Sequence, residues 1–145
     1  MLFKRVSRTS AEVAYIVVQN VSGSTATAGF SLVFDVGASV DGVRVTQASA
    51  TDLQAFAGVA DSDIANNAYG LCQVYGYRAS VKIFSSTGSS VTGDNLTVVT
   101  GGTHWGLTPA TTLGTSKAFG FLCAAVAAST SSQYATTAAG FIRAL

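Results

Sequence analysis

His104 is the only imidazole in the chain, and nucleophilic catalysis of the Ser-His-Asp type requires one. It lies in TGGTHWGLTP, flanked by glycines and followed by Trp105, and no carboxylate in that stretch is placed to orient it. With Gly101, Gly102 and Gly106 permitting a turn, His104 and Trp105 read as an amphipathic contact at a loop or subunit interface. Zinc takes several Cys or His ligands, and one His with two widely separated cysteines, Cys72 and Cys123, does not supply a set. Asp61 and Asp63 have the spacing of calcium ligands, but no glutamate follows to close a loop, so they read as helix-cap or turn residues. Glu12 is the sole glutamate and the six aspartates fall mostly in turns, so no carboxylate pair suggests glycoside hydrolysis. No glycine-rich stretch leads into a Lys-Ser/Thr helix of the phosphate-binding kind. The expectation is a protein without catalytic residues, metal or cofactor.

The elements that would carry these residues are strands. Val, Thr, Ile, Phe and Tyr recur in runs of five to eight separated by Gly, Ser, Asn and Asp, which is the spacing of an all-β domain. The predicted strands cover 13–19, 29–36, 42–48, 55–60, 70–77, 79–84, 95–99, 119–127 and 141–145, with 129–139 read as a loop. A helix of about two turns is possible only around 60–68, capped by Asp61 or Ser62. Asp41-Gly42 between Val-rich segments signals a tight hairpin, and Thr92-Gly93-Asp94-Asn95 signals a turn into Leu96 and Val98. Both suggest an antiparallel meander, so the expected fold is one single-domain antiparallel β-sandwich or barrel-like sheet over residues 1–145. Inside it, Cys72 and Val74 are expected to point inward, with Gln73, Tyr75 and Tyr77 on the opposite face.

The 145 residues suffice for one domain with a core. Only 10% are charged against 48% hydrophobic, where about 25% charged is usual, and the net charge is +1. A surface of Ser, Thr, Gly and small apolar groups suits a protein packed into an assembly, and equally a secreted Ser/Thr-rich one. The two cysteines do not separate these: they either bridge or remain buried thiols, the latter being commoner in apolar runs. The apolar stretch 13–18 behind Lys4, Arg5 and Arg8 is shorter than the ~7–15 residues of a signal-peptide core. No run approaches the ~18 apolar residues of a membrane-spanning helix.

Two groups of residues remain as candidates for binding. Residues 1–10 read as an extended basic arm whose Lys4, Arg5 and Arg8 either clamp an acidic neighbour or stay solvated. Tyr69, Tyr75, Tyr77 and Arg78 are the nearest approach to a nucleic-acid surface, yet Lys82 is the only further cation nearby, so they read as a core or subunit contact rather than a base-stacking platform.

The residues Gly58-Val59-Ala60, then Asp63-Ile64-Ala65, then Tyr69-Gly70-Leu71-Cys72-Gln73-Val74 and Gly76 form a pattern that resembles the head decoration, or cement, proteins of tailed bacteriophages. Val81, Ile83, Thr92-Gly93-Asp94 and Leu96 extend the resemblance, which covers residues 50–100 well and the remainder in composition alone. It implies a β-rich domain on the outer surface of the virion capsid that ties neighbouring major capsid protein subunits together. Self-association as a homotrimer, with a dimer as the alternative, comes with that implication. It implies no catalytic residue, no nucleic-acid contact and no membrane. The basic arm departs from the short-armed members. The competing expectation is a phage tail or surface-adhesion β-module that binds carbohydrate or a host protein, which would expose an aromatic platform in a concave site.

Overall fold

The computed structural model describes residues 2–4, 12–37, 41–48, 53–85, 91–98, 105–108, 118–125 and 134–144. Ten strands join in one hydrogen-bonded sheet: β1 (Leu2–Lys4), β2 (Val13–Asn20), β3 (Ser31–Phe34), β4 (Arg44–Thr46), β5 (Phe56–Ala60), β6 (Tyr69–Ser85), β7 (Asn95–Val98), β8 (Trp105–Thr108), β9 (Gly120–Leu122) and β10 (Tyr134–Arg143). The all-β, barrel-like expectation holds, and β1–β2, β3–β4, β5–β6 and β7–β8 are consecutive antiparallel pairs.

The sheet is mixed, because two short parallel pairings close it: Gln19–Asn20 of β2 against Arg44–Val45 of β4, and Ile83–Phe84 of β6 against Trp105–Gly106 of β8. Two circuits result, β2-β4-β3-β5-β6 and β6-β10-β9-β7-β8, with the 17-residue strand β6 common to both. One edge of β6 takes β5 and then β10, and the other takes β2 and then β8.

Each circuit has its own core. Val18, Ala26, Leu32, Val45, Ala57, Ala60, Ile64 and Cys72 fill the first. Val33, Phe56, Val59, Val81, Ile83, Leu96, Leu122 and Ile142 lead the second. Strand β5 is buried at all five positions, with Phe56 and Val59 facing one core and Ala57 and Ala60 the other. It forms a wall between the cores together with β3, whose Leu32 and Val33 split the same way. A wall wetted on neither side explains why FAGVA is a continuous apolar run rather than an alternating one.

Several expectations are corrected. The predicted strands at 70–77 and 79–84 are one strand, because Tyr77-Arg78-Ala79 lacks turn residues and the chain bends by bulges instead. Residues 78–81 of β6 face 138–140 of β10 with one residue in excess. The predicted loop 129–139 is strand from Tyr134 onward, laddered to Ser85–Val81; its Ala and Thr residues give no apolar alternation, so backbone pairing alone defines it. The predicted strand 119–127 is regular only over Gly120–Leu122, and residues beyond 125 lie outside the description. No helix forms at 60–68. Ile64 instead makes an antiparallel bridge with Ala26, and Asp63 accepts a bond from the Ala28 N–H. Trp105 begins a strand rather than lying in a loop. Asp41-Gly42 is not a two-residue hairpin turn: residues 35–43 separate β3 from β4. Asp41 Oδ1 accepts the Val43 and Arg44 N–H groups at 2.9 Å and turns the chain into β4. Those bonds hold the Asp41 carboxyl below its ordinary range. The Thr92–Asn95 turn forms, with Gly93 at φ 96°, but it does not join sheet neighbours, since β7 pairs with β8 and β9 and not with β6.

Candidate functional site: the outer surface of the shared strand

The first circuit turns an uncharged apolar strip outward. On β2 the side chains alternate, with Ala14, Val18 and Asn20 buried and Val17 51% exposed. Val17 is in register with Leu71 of β6, 39% exposed, and Gln19 with Tyr69, 66% exposed. Gly70 lies between these two outward β6 residues because a side chain there would strike Ile64. Tyr69 therefore stands in water with no ring contact among the described residues.

Further along β6 the alternation breaks. Ala14 pairs with Tyr75 and Tyr15 with Gln73, so Val74 is an extra residue on β6. Gly76 follows at φ 104°, pressed against the Glu12 carbonyl where a Cβ would collide. The bulge draws Gln73 inward, correcting the expectation that it shares an outer face with Tyr75 and Tyr77: it is 1% exposed. Its Nε2 donates to the carbonyls of Tyr75, Gly76 and Tyr77 at 3.2–3.3 Å, which gives the irregular backbone its partners.

Arg78 completes this cluster. Its guanidinium donates to Asp61 Oδ1 at 2.8 Å, the Asp61 carbonyl at 2.9 Å, Gln73 Oε1 at 3.2 Å and the Ser80 carbonyl at 3.1 Å. The arginine is thus committed to pinning the β5–β6 connection to the bulge. Burial raises the Tyr15 phenol above its ordinary value, and the Asp61 charge adds to that while Arg78 opposes it.

Of the three residues expected to form a contact on β6, only Tyr77 is exposed, at 44%. Tyr75 packs edge-on against Phe141 at 5.2 Å, Phe141 stacks on Phe121 at 5.2 Å, and Arg143 lies over Phe121 at 5.7 Å. These ring faces are turned to one another. His104, Arg5 and Arg8 lie outside the described residues, and of Lys4 and Trp105 only the backbone is described, in β1 and β8. Tyr69 belongs to the aromatic group the sequence singles out, whereas Val17 and Leu71 were missed as surface candidates. The signal for them was the register of β2 on β6, which a sequence without its pairing does not show.

Cys72 and Cys123 are free thiols, Cys72 buried in the first core and Cys123 half-buried; burial pushes both upward, Cys72 far more. Among the described residues no group of three or more His, Cys, Asp or Glu side chains could hold a metal ion. Compared with known proteins, the chain matches no family and no curated protein.

Proposed function

We propose that this chain is a structural protein of a tailed-phage particle that docks on the outer surface of the capsid and ties neighbouring major capsid protein subunits together. The observation that carries the proposal is the Val17–Leu71–Tyr69 strip, apolar and uncharged on an otherwise closed sheet. Large side chains grouped in water in this way suit a surface that another protein covers. The strip is small: one Val, one Leu and one Tyr, even wholly covered, fall short of the ~800 Å² per partner of a standard stable interface. Such a contact holds when many copies act on one lattice, since effective concentration multiplies weak attachments. Low charge, at 10% of residues, suits close packing against that lattice and against copies of itself, a homotrimer before a dimer. Of the residues that carry the likeness to decoration proteins, Gly58 lies in the wall and Gly70 and Gly76 in the shared strand that bears Leu71 and Tyr69 of the strip.

Carbohydrate adhesion is the second reading, and it would fall to Tyr69 and Tyr77, the exposed tyrosines among the described side chains, because Tyr75, Phe121 and Phe141 pack against one another. Co-sedimentation with empty expanded heads of the parent phage separates the two. Saturable binding at a fixed number of copies per head supports docking. Binding to a glycan array with none to heads overturns it in favour of adhesion.

A further inference from the structure

The outer face of the second circuit carries an aromatic row. On β9, Leu122 is buried in the core and Phe121 turns outward; on β10, Ile142 is buried and Phe141 and Arg143 turn outward. Phe141 is in register with Phe121 on one side and with Tyr77 of β6 on the other, and Arg143 is in register with Tyr75. Four rings and a guanidinium thus share one face across three adjacent strands, Tyr77 and Arg143 exposed and the others half-buried. The rings occupy one another: Phe121 and Phe141 stack at 8°, Tyr75 meets Phe141 at 87°, and the Arg143 guanidinium lies over Phe121. Ligands that stack, such as bases, need an open ring face, and here those faces are engaged. What remains for an incoming molecule is ring edges, the positive end of the aromatic quadrupole, together with the guanidinium. No Asp or Glu occurs between Asp63 and Asp94 or after Asp94, so β6, β9 and β10 carry none. Glu12 borders the other edge of β6, beside Gly76, and Asp61 is paired with Arg78, which leaves the β10 side of the face positive.

We infer that this face is a second docking site, which takes an extended acidic segment of a partner protein, with a carboxylate against Arg143 and apolar side chains across the ring edges. Charge selects the occupant, because a guanidinium pairs with a carboxylate through parallel N–H bonds. Phe121 holds that guanidinium in place before the partner arrives, so less side-chain freedom is lost on pairing. Size selects a segment over a globular surface or a second copy: five side chains do not supply the ~800 Å² per partner of a standard interface. A short segment needs only a few anchors, and Tyr and Arg are the residue types that carry most of the binding energy where they occur. The inference goes beyond the docking function, since the face lies on the second circuit, distinct from the Val17–Leu71–Tyr69 strip, and neither its argument nor its test involves a capsid.

The test is an NMR titration of the isotope-labelled full chain with a peptide of alternating Glu and Leu, beside its counterpart of alternating Lys and Leu. The expected result is amide shifts centred on Tyr75, Tyr77, Phe121, Phe141 and Arg143 with the acidic peptide and weaker ones with the basic peptide. Arg143→Glu should bind the acidic peptide about fivefold more weakly and the basic peptide more tightly, as expected when one exposed ion pair becomes a repulsion. Arg143→Gln, which removes the charge alone, should fall between wild type and that variant and guards against a fold disturbed by the reversal. Equal binding of the two peptides, an unchanged preference in both variants, or shifts centred anywhere else overturns the inference. Shifts at the same amides on raising the protein concentration without peptide give the face to a second copy and overturn it. A response to an oligosaccharide or an oligonucleotide with none to the acidic peptide gives it to a stacking ligand and does the same.

Discussion

At the scale of residues, the polar groups that matter are structural. Gln73 and Arg78 provide partners for a bulged backbone that would otherwise leave buried carbonyls unpaired. Removing the arginine strands the Gln73 amide oxygen and the Asp61 carboxylate together, so Arg78→Ala should cost about 2 kcal/mol in urea unfolding. Gly58→Ala should cost more than Gly23→Ala. Gly58 sits at φ 147° with its missing Cβ aimed at the Gln73 carbonyl and at Cys72 Sγ, 2.6 Å away, while Gly23, at φ 82°, faces open space. The open site should lose only the ~1 kcal/mol of a positive-φ substitution, which paired denaturation curves would check. Cys72 gives a pH dependence of definite sign. Burial raises its thiol above the ordinary 9.0, so the folded chain keeps a proton that the unfolded chain releases. Its contribution is complete below pH 9 and declines as pH rises beyond it. The urea midpoint of wild type should therefore drop more steeply above pH 9 than that of Cys72→Ala, and in the native state Cys123 should react with a thiol reagent long before Cys72.

At the scale of elements, β10 is the most informative strand. Tyr134–Ala139 offers neither apolar alternation nor β-branched bulk beyond two threonines, yet it ladders along β6 from Ser85 to Val81. Amides across 135–139 should accordingly be protected in hydrogen exchange, and rapid exchange there would contradict the pairing. The strands legible in the sequence, β2, β3, β4, β5 and β7, are those whose side chains fill a core. The ones that were not are β1, β8 and the first half of β10; β10 is defined by its ladder to β6, distant in the chain, while β1 and β8 pair with the strands next to them in sequence. The division of β6 into two strands failed at Arg78, where the break was placed although no turn residue stands there; Gly76, inside the predicted strand, lets β6 pass the Glu12 carbonyl without breaking. The surface followed the same pattern. Tyr69 and Tyr77 were legible as aromatics on one strand, while Val17 joins Leu71 and Tyr69 only through the β2–β6 register. Arg78, an apparent contact residue by type, is drawn into the fold by Asp61.

At the scale of the molecule, two circuits sharing one strand give nine of the ten described strands sheet partners on both sides, with an uncharged strip on β2 and β6. What binds only the assembled lattice stabilises that lattice by mass action, which is how a small docking protein would strengthen a shell. The most direct measurement is co-sedimentation of the purified protein with empty expanded heads, wild type beside Leu71→Glu/Tyr69→Glu. These two exposed side chains carry little of the folding energy, so the variant should unfold at the wild-type midpoint. The account predicts saturable binding by wild type and its loss in the variant. Wild-type protein that stays in the supernatant, or a variant that pellets with the heads as well as wild type does, would contradict it.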